Sequence, residues 1–212
     1  MANGLAILLE TAFRPKELVA IGEVTRKTDG DYAWPSGATL SRERWLERLQ
    51  KKSINQIYSG RDGVGIRINP MKPGTDHDAG VTGFRHVLVE WDTGSKLEQF
   101  SNLVQSGLPI TAVIDSGNKS IHGWIRVDAP TIEEYKRRRQ LIWNYFKVQH
   151  IDAKNQNPSR YSRCPEVVRD VYEEKTGKFI CSCRQELLAI NLGAADWQSW
   201  EKCTTTVSGR SG

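Results

Sequence analysis

Glu90 and Asp92, at the end of the apolar run from Phe84 to Val89, are the residues of this chain whose types and spacing most directly offer chemistry. Side chains alternate in direction along an extended strand, so carboxylates two apart project from one face and can share a divalent cation. A buried strand that ends in two acids does so at a cost unless cations or donors satisfy them. Taken alone, the pair could simply open a turn at Thr93-Gly94. Two further polar clusters change that balance. The first is Ser116-Gly117-Asn118-Lys119-Ser120-Ile121-His122, whose turn and lysine can present backbone amides and a cation to phosphate, although the Walker spacing is absent. The second is Ile151-Asp152, followed by Arg160 and Arg163, which combines a metal ligand with cationic clamps as phosphoryl transfer requires. Lys119, Arg160 and Arg163 are read from their charge and position as triphosphate clamps.

The elements that must carry these residues follow from hydrophobic periodicity. A strand is expected at 84–92, a helix at 95–106, strands at 110–115 and 121–127, and a helix from Thr131 to Val148 with Pro130 before it. In the strand after the turn, Ile121, Gly123, Ile125 and Val127 share one face, and His122, Trp124 and Arg126 take the other. His122 is therefore expected to leave the core side. The basic run Lys136-Arg137-Arg138-Arg139 reads as a solvated helix face. A strand at 178–182 and a helix around 195–202 complete a mixed sheet with helices against it, and the order β, α, β, β, α, β is that of a ferredoxin-like or RRM-like unit. Before it, residues 1–80 are turn-rich, with a helix expected at 41–51 and a strand at 64–68, and 70–83 resembles a loop between modules.

The chain has 212 residues and 38% apolar content, enough for one good core. The expectation is a single catalytic domain over 1–203, built from an N-terminal module at 1–80 and an RRM-like module at 84–203, with 204–212 as a flexible tail. A net charge of +5 favours a polyanionic partner, while 25 acidic residues against 30 basic ones make the surface patchy. No apolar run is long enough to span a membrane and the first residues lack a secretory pattern, so a soluble cytoplasmic protein is expected. The cysteines at 164, 181, 183 and 203 show neither a CxxC pair nor a convincing disulfide spacing, and they read as reduced thiols with no structural zinc.

The acidic pair after an apolar strand, the SGNKSIH turn and strand, and the later Ile-Asp element together resemble the archaeo-eukaryotic primase (AEP) superfamily. Within it, the primase-polymerase domains of phages, plasmids and other mobile elements are most similar. The resemblance spans residues from about 63 to 195, and SGNKSIH followed by NPSRYSRCPEVVR is its most specific part. It implies an α/β (α+β) core in which an N-terminal module packs on an RRM-like mixed sheet with a cleft between them. It also implies that Glu90, Asp92 and Asp152 hold two Mg²⁺ or Mn²⁺ ions and that Ser120 and His122 bind the phosphates of the incoming nucleotide. The family more often has Asp at the first acidic position, so Glu90 is a departure. The zinc-bearing insertions of some members have no clear counterpart here.

The activity so implied is DNA-directed nucleotidyl transfer, as a primase or DNA polymerase working on single-stranded template and primer with NTPs or dNTPs. A helicase domain or protein is a further partner, and the setting is a bacterial or archaeal host cell, with phage encoding in view. Two other readings compete. A non-catalytic RRM-like module would stack bases on exposed aromatics, with Trp91 and Trp124 the first candidates. A replication-initiator nuclease would need His-x-His on a strand, whereas His77, His86, His122 and His150 are isolated. An inactive scaffold of the same fold is made less attractive by the intact acids.

Overall fold

The strongly periodic segment after Phe84 supplies one sheet, and what precedes it, with one later strand, builds a second sheet against it. The computed structural model describes all residues except 1, 2, 28–31, 34–36, 92, 150, 153, 154, 174 and 209–212, and the backbone alone of 32, 148 and 204–208. Along the chain the elements are α1 (Gly4–Ala12), β1 (Leu18–Glu23), β2 (Thr25–Arg26), β3 (Tyr32–Ala33), β4 (Ala38–Ser41), α2 (Arg42–Lys51), α3 (Ile54–Ile57) and β5 (Val64–Arg67). They continue with β6 (Phe84–Glu90), α4 (Lys96–Gln105), β7 (Ile110–Asp115), β8 (Ile121–Ala129), α5 (Ile132–Tyr145), β9 (Tyr161–Arg163), β10 (Val167–Tyr172), β11 (Phe179–Leu192) and α6 (Trp197–Ser208).

Helix starts match their chemistry. Ser41, Ser95 and Thr131 each cap the helix that follows by accepting from the backbone N–H three residues on. Two sheets result, with strand orders β4-β1-β5-β9 and β10-β11-β7-β8-β6, and β2 and β3 pair separately. Every pairing among the described residues is antiparallel, in place of the mixed sheet expected. The arrangement β6-β8-β7 with α4 and α5 is the RRM-like part. Its fourth strand does not return beside β6; β11 pairs with β7 at the opposite edge, and β9 leaves for the other sheet beside β5. Local periodicity specifies a strand but not its neighbour, which is why this topology was not readable in advance.

Much of β11 is exposed, while the β6-β8-β7 part of the five-stranded sheet is buried on both faces. On one, Val87, Val89, Ile121, Ile125 and Val127 meet Leu103, Tyr135, Ile142 and Phe146 of the helices. On the other, Leu88, Ala112, Ile114 and Trp124 pack against Leu5, Leu8 and Leu9 of α1 and Val19, Ile21 and Ile66 of the four-stranded sheet. The face carrying His122 and Trp124 is thus a second interior: His122 is 4% exposed and Trp124 is fully buried. With Trp91 only 2% exposed as well, the base-stacking platform of the non-catalytic reading is absent at the two residues proposed for it.

Several smaller expectations are corrected. Cys181 and Cys183 are joined as a disulfide on β11, because residues two apart on a strand face the same way and their Cα atoms lie 6.0 Å apart, within disulfide reach. Cys164 is in the core. α6 runs past Cys203 to Ser208, into the stretch expected to be a tail, since neither Gly nor Pro interrupts it there. In the basic run, Arg137 pairs with Glu134 and Glu201, and Arg138 is buried against Glu134 and the Val127 carbonyl. No helix among the described residues is long and apolar enough to cross a membrane.

Two buried polar residues lock the sheets together. Asn69 accepts from the backbone N–H groups of Arg85 and His86 and donates to the carbonyls of His86 and Pro158, all within 2.7–2.9 Å. His86 donates from Nδ1 to the Ile68 carbonyl at 2.9 Å and meets the Thr111 hydroxyl at Nε2 at 3.0 Å, and burial lowers its pKa to about 4. Replacing Asn69 by Ala leaves buried backbone groups on β6 and at Pro158 without partners. It should cost about 3 kcal/mol, read as a lower urea midpoint.

Candidate active site

The register of the β6 and β8 pair sets Glu90 directly opposite His122. Both sit where the end of the five-stranded sheet meets β9 of the other. Ser162, in the middle of β9, places its hydroxyl 3.0 Å from His122 Nδ1, and the Arg163 backbone N–H reaches the same nitrogen at 3.3 Å. That N–H assigns Nδ1 as an acceptor, so the ring proton sits on Nε2 and faces Glu90 Oε1 and Ser120 Oγ, each 3.5 Å away. Ser120 Oγ is also 3.1 Å from Ser116 Oγ and 3.5 Å from Glu90 Oε1.

The β7–β8 hairpin loop holds Ser120 through its own bonds. Ser116 N–H donates to the Ser120 carbonyl at 3.0 Å and Gly117 N–H to Asp115 Oδ1 at 2.8 Å, while Lys96 pairs with Asp115 at 2.7 Å. Two of the amides expected to face phosphate are therefore already used inside the loop. Gly117 has φ +73°, and a Cβ there would stand 3.0 Å from the Arg184 carbonyl, so the turn requires glycine. Gln99 of α4 braces the loop from below: its Oε1 accepts from Ile121 N–H at 2.7 Å, and its Nε2 lies within 3.3 Å of the Thr93, Gly94 and Lys119 carbonyls.

The third cluster is pinned just as closely. Asp152 N–H donates to the Glu90 carbonyl at 2.9 Å, carrying the segment after α5 alongside the end of β6. Asn155, 1% exposed, places Nδ2 3.0 Å from Glu90 Oε2 and 3.3 Å from Asp152 Oδ2. Beyond it, Ser159 bonds Asp78 at 2.6 Å, and buried Arg67 donates to the Ser159 and Asp76 carbonyls while lying over the Tyr161 ring. Arg67, Asp76, Asn157, Ser159, Arg160 and Tyr161 line a cleft of about 220 Å³.

Burial alone would raise the Glu90 carboxyl. The Nε2–H end of His122, through its electrostatic pull and its hydrogen bond, together with Asn155 and Arg160, outweighs that effect and holds Glu90 at about 2. The site thus presents an ionised carboxylate at neutral pH.

Of the residues picked out by sequence, Glu90, Ser120, His122 and Asp152 are brought together, and Arg160 is close enough to act on Glu90 electrostatically. Lys119 is exposed on the loop. Arg163 is buried with its guanidinium donating to the Asp62 carbonyl at 3.2 Å, so what it offers His122 is its backbone N–H. Asp92 lies outside the described residues. Among the described residues no three His, Cys, Asp or Glu side chains gather as a metal site. Two hard carboxylates linked through Asn155 do suit Mg²⁺ or Mn²⁺, which prefer oxygen donors. Asn155 and Ser162 were missed by sequence reasoning, because Asn and Ser in such a stretch signal only a loop.

No family model and no curated protein matches the sequence. Solved structures do match. The chain is similar to the AEP domain of the cyanophage S-2L primase-polymerase (PrimPol), with 16% identity over 95% of each chain and a TM-score of 0.59. It is also similar to the catalytic domain of primase RepB′ in complex with initiator DNA, with 15% identity over 98% of this chain and 97% of that one and a TM-score of 0.55. A further structure of primase RepB′ matches at 14% identity and TM-score 0.55, over 97% of this chain and 62% of that one. The fold is that of an archaeo-eukaryotic-type primase catalytic domain.

The Glu90 environment sets an acid signature. Its folded pKa lies below the ordinary 4.5, so the stability it contributes is complete above about pH 4.5 and is lost as the pH falls toward 2. On the order of 3 kcal/mol is at stake. A plot of urea midpoint against pH should fall through that window in the parent and fall less steeply there in Glu90→Gln, where the other lowered carboxyls such as Glu134 still titrate.

Proposed function

We propose that this chain is a primase-polymerase catalytic domain. In this reading it is a DNA-directed nucleotidyltransferase that starts or extends primers on single-stranded DNA in the replication of a phage, plasmid or mobile element. The observation that carries the reading is the convergence of Glu90, Asp152, Ser120 and His122 at one end of the sheet, inside a fold shared with primase domains. The complex of RepB′ with initiator DNA supports DNA as the partner. The net charge of +5 agrees with a polyanionic ligand.

Glu90, Asp92 and Asp152 hold two divalent ions, Mg²⁺ or Mn²⁺. Bound there, such ions supply activation of the primer 3′-hydroxyl and charge stabilisation of the leaving pyrophosphate. The remaining work belongs to side chains. Ser120 Oγ–H and His122 Nε2–H donate to the phosphates of the incoming NTP or dNTP, and Ser162 with the Arg163 N–H keeps the imidazole turned so that Nε2 faces the site. Arg160 and Lys119 add positive charge for the triphosphate. Arg163 contributes through its backbone. A helicase domain or protein acts alongside, within the host cytoplasm.

The test is incubation with a single-stranded template, labelled nucleotides and Mn²⁺, with and without primer. Metal-dependent incorporation is expected, and its absence under all these conditions would overturn the reading. Asp92→Ala should remove incorporation by roughly a thousandfold or more, whereas His122→Ala should chiefly raise KM for the nucleotide. Equal loss of nucleotide affinity in both variants would reverse that division of roles. Millimolar Mg²⁺ or Mn²⁺ should also raise Tm, since binding to the folded state alone stabilises it.

A further inference from the structure

Asn155 donates its own N–H to the Asp152 carbonyl at 3.3 Å. Its side-chain nitrogen then spans two acids that come from different segments, Glu90 at the end of β6 and Asp152 after α5. The other end of the amide, Oδ1, is buried without a hydrogen-bond partner. Flipping the amide would set that oxygen against two carboxylate oxygens, so the orientation is dictated by the acids and is kept despite an unsatisfied carbonyl. The chemistry of the group matters here. An amide supplies two N–H donors and no charge, so it draws two carboxylates together yet leaves their full negative charge for a cation. A lysine or arginine at the same point would neutralise them.

We propose that Asn155 is a positioning residue that bridges Glu90 and Asp152 and holds the two carboxylates convergent before a divalent cation binds. The cation half of this inference rests on the function proposed above; the bridge itself rests on the hydrogen bonds alone. It predicts that the site is shaped in advance, and that the shape depends on a side chain with no direct part in the reaction.

Two measurements decide it. In EDTA, Asn155→Asp keeps the size of the side chain but sets a third carboxylate against the two acids, and its urea midpoint should fall clearly below that of the parent. Made in a Glu90→Gln background, where a donor again faces position 155, the same substitution should lower the midpoint by at most half as much as it does in the parent. An equal loss with Glu or Gln at 90 would overturn the bridge. If Asn155→Asp alone does not fold, recovery of the folded state in the double variant is the supporting result and failure to recover is the contrary one. In calorimetry, Asn155→Ala should weaken Mn²⁺ binding about tenfold, as loss of groups that orient metal ligands commonly does. A residue that merely fills space would lower the urea midpoint and leave the Mn²⁺ Kd unchanged, and that outcome would overturn the positioning role. A parent chain that takes up no Mn²⁺ would defeat the proposed function together with the cation half of this inference, and the double-variant comparison would still decide the bridge.

Discussion

Glu90 is the carboxylate on which the candidate site is assembled. Its side chain meets His122 from β8, Ser120 from the hairpin loop and Asn155 from the segment after α5, and its backbone carbonyl receives Asp152 N–H. A partly buried anion is costly unless donors surround it, and here the donors come from separate parts of the chain. Satisfying one charge thereby gathers three polar segments. A glutamate suits this arrangement, because one oxygen faces Ser120 and His122 while the other faces Asn155.

The second sheet gives this arrangement its fixed frame. In an open RRM-like unit the face carrying His122 and Trp124 would look into solvent. Here α1 and the four-stranded sheet cover it, and β9 brings Ser162 and the Arg163 N–H onto the imidazole. Asn69 and His86 anchor the same junction with every side-chain hydrogen-bonding group of Asn69 and both ring nitrogens of His86 engaged. Fully paired buried polar groups of this kind specify one relative placement of the layers, which a purely apolar contact does less well. At Gly123, beside His122, a Cβ would come within 2.6 Å of the Leu103 side chain, so α4 can lie close under the strand and Gln99 can reach the loop.

Much of this was legible in the sequence where periodicity was strong. Strand 110–115 matches β7 residue for residue, and α2, α4 and α5 begin at the Ser and Thr caps their sequences announce. α1 was not seen, because Leu5 to Leu9 is apolar throughout and gives no face to count. β11 extends far beyond 182, since the polar run Arg184-Gln185-Glu186 hides a strand that pairs on both sides. In the site, acids and histidine announce themselves by type. Asn155, Ser162 and Gln99 do not, because their importance lies in partners many residues away. The expectation that His122 faces outward failed for the same reason: alternation says which residues share a face, not what later covers it.

The run Tyr161-Ser162-Arg163 works as a gauge. Paired with β5 in a set register, it places Ser162 against the imidazole and Tyr161 beneath the Arg67 guanidinium. Slipping that strand by a single residue would swap every side chain to the opposite face, removing the hydroxyl from His122 and the ring from Arg67 together. An inserted or deleted residue inside this three-residue ladder would misalign both layers at once.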